Sequence, residues 1–393
     1  METAKLFNGV ELHTTLETEP GATASAERNI GASYALDLQL KVRVPKPNVN
    51  AHELALLNDA LPNVLPGLEA LIATAKVSPF YETLYQLKLR SLQQSLVRLD
   101  QILPRHDFYD CETVLELQQP DTKRRALLIQ ADMDVDTDGS DSDRVPNVDG
   151  SSPTFQTMTN YKWPKKTAVP NPFLASREAK LQQLESDLAA AKDAPAQRKE
   201  QIRNAIGAAR YEIAELKKHS FLVAETDPYV VMPSSLMSQG GQPFSPRLGD
   251  FCVIIFKNML YPAIVGDVGP AMKMGEASLR IAKEINARAT AENRPVSSLK
   301  VTYLVFPGTA DKPFGPPNLN LWYSRCAELL NEIGGFTGEL HAWEDLIKPP
   351  PTPTPSPSAS PSASPATSAQ PTASASPSAS PSPSGSAKPS PPR

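Results

Sequence analysis

The sequence predicts an α+β protein with a compact, barrel-like β core, helical segments around it and a disordered C-terminal tail. Short apolar runs separated by Gly/Pro turns lie between residues 221 and 306, leucines take helical spacing in two other regions, and the composition changes near Pro349. At 393 residues the chain is longer than one ordinary domain. We therefore expect residues 1–347 to supply the folded part.

The N-terminal region, residues 1–105, is predicted to be a strand followed by helices. Polar and apolar side chains alternate over residues 33–44, which is typical of an amphipathic strand. From residue 51 the spacing becomes helical, with a division near residues 77–79. The second helix has a heptad-like seam at Tyr85, Leu89, Leu92, Leu96, Leu99 and Leu103. Because the region has no chemical motif, we expect an accessory domain or a partner-binding module.

A charged, alanine-rich segment at residues 172–219 has apolar residues at helical spacing and a break at Asp193–Pro195. This pattern predicts an antiparallel helical hairpin inserted into the core. Such a hairpin is a surface excursion, a cover over a cleft or a dimer contact.

The apolar runs after this hairpin predict the strands of the β core. They are Phe221–Val223, Tyr229–Met232, Phe251–Phe256, Ala263–Val265 and Val301–Phe306. Helices are expected from Ala277 to about Ala289 and within Leu321–Ile347. By analogy with the Gly-Asp-x-Gly-Pro turn at residue 266, we expect a small barrel of the double-psi type.

Two carboxylates nine residues apart, Asp267 and Glu276, are the main candidates for chemistry. Asp267 follows an apolar run and is expected in a turn, whereas Glu276 follows Gly275 and opens the predicted helix. One protonated and one ionised carboxyl can together hydrolyse a glycosidic bond. At a helix start the dipole would lower the pKa of Glu276 and suit it to be the base, leaving Asp267 as the acid. From spacing alone, a turn aspartate and a helix-start glutamate without a catalytic role are the favoured interpretation.

An acidic segment precedes the hairpin, with seven aspartates in 18 residues and only Arg144 to oppose them. Such a cluster would attract a cationic substrate. The seven aspartates are Asp132, Asp134, Asp136, Asp138, Asp141, Asp143 and Asp149. Asp134, Asp136, Asp138 and Gly139 match positions 1, 3, 5 and 6 of an EF-hand loop, but position 12 is Val145 rather than Glu. The residues by themselves leave a looser calcium site and a solvated loop open.

Charge and cysteine content exclude several classes of function. A net charge of −4 and a pI near 5.8 argue against a nucleic-acid binder. Three scattered cysteines form no disulfide framework and no metal-binding spacing, so we expect buried thiols and no metal or other cofactor. No apolar run is long enough to span a membrane, and the N-terminus lacks the apolar core of a conventional signal peptide.

The tail, residues 348–393, consists almost entirely of Pro, Ser, Ala and Thr. It holds 15 of the 40 prolines and no aromatic residue, so it cannot bury enough apolar surface to offset its conformational entropy. We expect a disordered stalk or spacer that contacts a cell wall or matrix, or a dispensable solvated tail.

Residues 266–278, GDVGPAMKMGEAS, resemble the GD…GEAS signature of the fungal-type chitosanases, glycoside hydrolase family 75. Other segments resemble the family in the same order along the chain, over about residues 110–310: Met133–Gly139 (MDxDxDG), Asp227–Val231 (PYVV) and the late strand Val301–Phe306. Between the two acids, Val268–Pro270 and Met272–Met274 depart from the small polar residues expected there.

The resemblance implies a catalytic domain at residues 106–347, with Asp267 and Glu276 as the catalytic pair. The implied activity is internal, inverting cleavage of β-1,4-linked glucosamine polymer, chitosan, or of a related cationic amino-sugar polymer. Substrate contacts are expected from Asp134, Asp136, Asp138 and Tyr229. The resemblance thus favours a cleft-lining acidic segment first, a looser calcium site second and a solvated loop third. The alternative is a non-catalytic, calcium-dependent carbohydrate-binding or surface-interaction protein. Polymer degradation and a stalk-like tail favour a location outside the cell, although the start of the chain does not.

Overall fold

The computed structural model describes residues 20–21, 23–31, 40–98, 102–145, 147–239 and 241–347. Most of the strand predicted at residues 33–44 lies outside this part of the chain, and its described residues, from Leu40, are not in a strand. The predicted disordered tail lies outside the described residues as well. All described residues belong to one compact unit.

Helices and strands both contribute, which confirms the α+β class. The strands within the described residues are β1 Lys76–Val77, β2 Cys111–Gln118, β3 Arg125–Asp136, β4 Lys162–Pro164, β5 His219–Phe221, β6 Tyr229–Pro233, β7 Phe251–Phe256, β8 Met259–Gly269, β9 Glu276–Ser278, β10 Val296–Val305 and β11 Glu339–Leu340. The helices are α1 Ala24–Glu27, α2 Ala51–Leu57, α3 Leu61–Val64, α4 Leu68–Ile72, α5 Pro79–Val97, α6 Arg105–Phe108, α7 Leu174–Ala190, α8 Ala196–Lys218, α9 Ser234–Met237, α10 Leu279–Ile285 and α11 Leu319–Glu332.

Six strands close into a barrel in the order β3, β10, β7, β8, β6, β9, because β9 pairs back with β3. The pairs β6–β8 and β3–β9 are parallel, and the other four are antiparallel. β1 and β2 extend the sheet beyond β3, and β11 pairs with β8. The expected barrel-like core is therefore confirmed, while its double-psi type stays a prediction.

Along the barrel strands, alternate side chains pack into two different hydrophobic clusters. The interior cluster receives a residue from all six strands, for example Met133, Val265 and Ala277, and α5 packs its buried face on the same cluster. The outer cluster lies under α2–α4 and α11. A face of β3, β9, β6 and β8 that these helices leave open carries the predicted site residues.

A β-bulge in β8 breaks this alternation. Val230 of β6 pairs with Val265, but the next residue, Val231, pairs with Asp267, so that Gly266 is the extra residue. The bulge turns Asp267 to the outer face, whereas regular alternation would turn it inward with Val265. Position 266 must be glycine, since a Cβ there would lie 2.6 Å from the Cβ of Tyr229.

The N-terminal helices are divided as predicted, because Ser78 caps α5 and Pro79 occupies its first turn. The predicted seam is only partly correct. Tyr85 and Leu92 are buried, Leu89 and Leu96 are half-buried, and Leu99 lies outside the described residues. The seam also does not include a fully buried lysine of α5, Lys88.

Helices α7 and α8 form the predicted antiparallel hairpin, with residues 191–195 as its turn. Five residues of α8 are buried, whereas none of α7 is. Salt bridges such as Arg210–Glu185 (2.7 Å) and Lys217–Glu178 (2.7 Å) join the two helices along their exposed sides. The hairpin leaves the core at the short β4–β5 sheet.

Five local predictions need correction. Asp267 lies within β8 and Glu276 within β9, rather than in a turn and at a helix start. The helix after Glu276 ends at Ile285 because Asn286 is extended, and the strand predicted at Phe221–Val223 ends at Phe221. The C-terminal helix, α11, ends at Glu332, and two glycines with positive φ follow it.

The three cysteines are buried free thiols, as predicted. None of the helices in the described part of the chain combines the length and apolar character that a membrane span requires.

Replacing Gly266 by alanine tests the bulge. We expect Gly266→Ala to lower the free energy of unfolding by about 1–3 kcal/mol, since the added methyl group overpacks a rigid site. Gly207→Ala is the matched control: its Cβ meets open space in the middle of α8, so a gain of about 0.5–1 kcal/mol is expected. Urea denaturation measures both, and equal stability of the two variants would contradict the packing argument.

Candidate active site

Three of the six predicted site residues lie in one row across four barrel strands. Asp134 of β3 pairs with Glu276 of β9, Glu276 with Val231 of β6, and Val231 with Asp267 of β8. Paired residues face the same side of a sheet, so Glu276 and Asp267 point the same way with one strand between them. Strand spacing sets their backbones about 10 Å apart. Two carboxyls can therefore act on one bond from either side of Val231.

Asp267 is nearly buried, and its carboxyl accepts backbone hydrogen bonds. Oδ1 accepts from the amide of Asn160 at 2.8 Å and from that of Val268 at 2.8 Å. Burial, together with the neighbouring Asp136 carboxyl, raises the pKa of Asp267 to about 8, although these hydrogen bonds oppose the rise. A carboxyl with this pKa keeps its proton at neutral pH, as a proton donor must.

Glu276 differs from Asp267 because a lysine contacts it. Lys273 Nζ lies 3.3 Å from Glu276 Oε1 and 3.2 Å from Asp134 Oδ2. Burial raises the pKa of Glu276, and the Lys273 ammonium opposes this rise. The expected helix dipole is not available, because α10 begins only at Leu279. Lys273 supplies the positive charge that the sequence had assigned to a helix start.

Three carboxyls meet beside this row. One oxygen each from Asp136, Asp138 and Asp267 lies within 4.8 Å of the other two. Asp136 accepts from the Asp138 amide at 2.9 Å, and Asp138 accepts from the Gln156 amide at 2.7 Å. Burial and the Asp136 carboxyl raise the pKa of Asp138 to about 8. Such oxygens could hold a hard cation, or they could share protons among themselves.

The EF-hand match does not form an EF-hand loop. Asp134 and Asp136 end strand β3, where no helix precedes them, and Asp134 is already bound by Arg294 and Lys273. Of the matched positions, only Asp136 and Asp138 belong to the group of three carboxyls.

Tyr229, which is predicted to contact substrate, has a fully buried side chain, and its hydroxyl donates to Asp136 Oδ2 at 3.0 Å. This hydrogen bond joins Tyr229 to the group of three carboxyls, and its part in substrate binding stays a prediction. Asp134, Asp136 and Asp138 are each 7–8 % exposed and border the open face.

In the fold, cationic side chains pair with the acidic segment, and one of them, Arg294, was not indicated by the sequence pattern. Arg294 contacts Asp134, Asp132 (3.0 Å) and Asp107 (2.6 Å), and Arg144 pairs with two further aspartates. Arg294 is 162 residues from Asp132 along the chain, so no local pattern could indicate the contact. The segment is therefore less negative, and less attractive to a polycation, than its composition suggested.

Asn160 is a second residue that no motif marked. Besides donating its amide to Asp267, it accepts the Val268 amide on its side-chain oxygen at 3.2 Å. It is exposed, so it borders the open face next to Asp267.

A barrel with two carboxyls in different surroundings on one face fits the class of glycoside hydrolases. The family model of the fungal chitosanases of glycosyl hydrolase group 75 matches residues 133–342. Because this is more than half of the chain, the protein belongs to that family and is a glycoside hydrolase of the chitosanase type. The non-catalytic alternative is therefore set aside. No curated protein matches the chain.

The pKa values of the buried aspartates predict how the stability of the protein depends on pH. The folded-state pKa of Asp138 is raised, so its contribution to stability is present at low pH and is lost as the pH rises through about 8. The melting temperature should therefore fall between pH 5 and pH 8. Asp138→Asn should melt above wild type at pH 8, because its amide oxygen retains the Gln156 hydrogen bond without the charge. Scanning calorimetry at both pH values measures this.

Asp143→Asn, in the same acidic segment, is the control of opposite sign. Against the effect of burial, hydrogen bonds from Lys166 and Thr167 lower the pKa of Asp143, so its contribution is present above the unfolded-state pKa. This variant should melt below wild type at both pH values. A wild-type melting temperature that rises from pH 5 to pH 8 would refute the argument.

Proposed function

We propose that the protein cleaves β-1,4-glucosaminidic bonds within chitosan chains by inversion, with Asp267 as the general acid and Glu276 as the general base. The observation that supports this most is the row Glu276–Val231–Asp267, which sets the two carboxyls on one face with one strand between them. Inverting enzymes hold their carboxyls roughly 6.5–9.5 Å apart to admit a water molecule. Backbones about 10 Å apart allow that separation.

The acid and base roles follow from the two surroundings. Asp267 is held protonated by burial and by carboxyl neighbours, so it can protonate the leaving oxygen. Glu276 has the Lys273 ammonium beside it, which favours the carboxylate and its use as the base for water. The proton lost by water goes to Glu276 and the proton of Asp267 goes to the leaving hydroxyl.

Asp134, Asp136 and Asp138 are proposed to bind the amino groups of the substrate along the open face. Arg294 and Lys273 neutralise part of this charge, which supports a polymer that carries fewer cations as a second candidate, such as partly acetylated chitosan. We further propose action outside the cell with residues 348–393 as a spacer, and a division of the chain into an accessory region, 1–105, and a catalytic domain, 106–347.

Removing either carboxyl should abolish most activity. We expect Asp267→Asn and Glu276→Gln each to lower kcat by about 10²–10⁴-fold on fully deacetylated chitosan. Reducing-sugar release measures the rate, and product lengths test internal cleavage. Glu185→Gln, on the exposed side of the hairpin, should retain wild-type activity. Added azide should rescue Glu276→Gln but not Asp267→Asn.

The first product seen by proton NMR should be the α-anomer if the reaction inverts. A β-anomer, full activity of both carboxyl variants, or no release by wild type would refute the proposed function. Faster cleavage of partly acetylated than of fully deacetylated chitosan would select the second candidate substrate.

The pH profile should report the two acids separately. Activity should decline as the pH rises through about 8, where Asp267 loses its proton. Lys273→Met should move the acid limb of kcat/KM to higher pH, because without the ammonium the pKa of Glu276 rises further and the base ionises later. Lys217→Met, which removes a salt bridge on the hairpin, should leave both limbs in place. An unmoved acid limb in Lys273→Met would contradict the assignment of Glu276.

A further inference from the structure

We propose that the N-terminal region braces the segment joining the two acids, residues 270–275, here called the acid loop, and that Lys88 and Asp110 are its positioning residues. The inference rests on the proposed function, because the acid loop sets where Glu276 stands relative to Asp267. It gives the N-terminal region a role in catalysis, beyond that of an accessory domain.

Lys88 fixes the segment before β2. Its side chain is fully buried on α5, and its ammonium donates to the carbonyl oxygens of Asp107 (2.9 Å) and Phe108 (3.0 Å) and to the carboxylate of Asp110. An ammonium has three donors, so all three are satisfied. A buried charge is stable only with such complete pairing, and the arrangement therefore holds residues 107–110 in one place.

Asp110 passes this constraint to the acid loop. While one carboxylate oxygen accepts from Lys88, the other accepts from the backbone amide of Met274 at 3.1 Å. Its carbonyl oxygen accepts from the Asp132 amide at 3.2 Å, which ties the same residue to β3. Met274 lies between Lys273 and Glu276 in the sequence. The hydrogen bond from its amide to Asp110 therefore holds the acid loop close to Lys273 and to Glu276.

A second link reaches Glu276 through charged side chains. Asp107 lies 2.6 Å from Arg294, which also contacts Asp134, and Asp134 lies 3.2 Å from Lys273. The segment 107–110 thus holds the acid loop by its backbone and orients the ammonium that faces Glu276. Both links come from residues that precede the family match, which begins at Met133.

Two double variants separate the brace from the general stability of the ion pair. Lys88→Met/Asp110→Asn and Lys88→Met/Asp110→Ala both remove the buried charges. Only the asparagine retains an oxygen that can accept the Met274 amide. The measurements are kcat and KM on chitosan, the melting temperature, and amide hydrogen exchange of the peptide covering residues 270–276.

The asparagine variant should retain most of the activity. The alanine variant should lose about tenfold to a hundredfold in kcat, because displacing a catalytic group by about 1 Å costs that much. Its KM should change less, and exchange should accelerate in the acid loop but not in α8. Equal kcat in the two folded variants, or unchanged exchange in the acid loop, would overturn the proposal.

Failure of the proposed function can be distinguished from failure of the proposed brace. If wild type releases no sugar, the catalytic assignment falls, while hydrogen exchange still decides whether Asp110 holds the acid loop. If the alanine variant does not fold, wild type labelled with [¹⁵N]methionine decides. The Met274 amide, assigned with Met274→Leu, must exchange slowly, and exchange as fast as in an exposed loop would overturn the brace.

Discussion

The β-bulge at Gly266 is the constraint on which the rest of the site depends. Regular alternation in β8 would turn Asp267 towards the barrel interior with Val265, and one extra residue turns it outward instead. Only glycine fits, since the backbone of β8 passes against the Cβ of Tyr229. The same close approach buries Tyr229, whose hydroxyl then holds Asp136 beside Asp267. One backbone irregularity thus sets both the direction and the neighbours of the acid.

The site contains more carboxyls than cations, and the position of the cations divides the roles. Lys273 and Arg294 lie at the Asp134 end of the row, next to Glu276. At the other end Asp267 has carboxyls and backbone amides around it, and burial raises its pKa. The two carboxyls on one face therefore have different surroundings, and such differences separate the pKa values of an acid and a base in the proposed mechanism.

Local patterns predicted the parts of the fold that depend on local chemistry. The helical hairpin, the division before Pro79 and strands such as Phe251–Phe256 follow from apolar spacing and from breaker residues. The two acids were candidates from the sequence, but their spacing alone favours a turn and a helix start, and only the resemblance to a family made a catalytic pair the preferred prediction. Apolar spacing of the kind that locates strands cannot show a bulge, and so Asp267 was expected in a turn.

What the sequence could not predict rests on contacts between distant residues. Lys88 looks like a solvated residue of a leucine-rich helix, yet its burial depends on carbonyl groups about 20 positions away. Arg294 has no aspartate near it in the sequence, and its three aspartate partners come from two other segments of the chain. In both cases the partner, rather than the residue, determines the role.

Strand β3 crosses the start of the family match. It runs from Arg125 to Asp136, so residue 133 falls inside a barrel strand whose first half pairs with β2. A recombinant chain trimmed to the matched residues would begin with a severed strand and would lack its neighbour. The barrel therefore needs residues that precede the region matched by the family model. Swapping the residues before position 133 between relatives would alter the wall of the barrel itself.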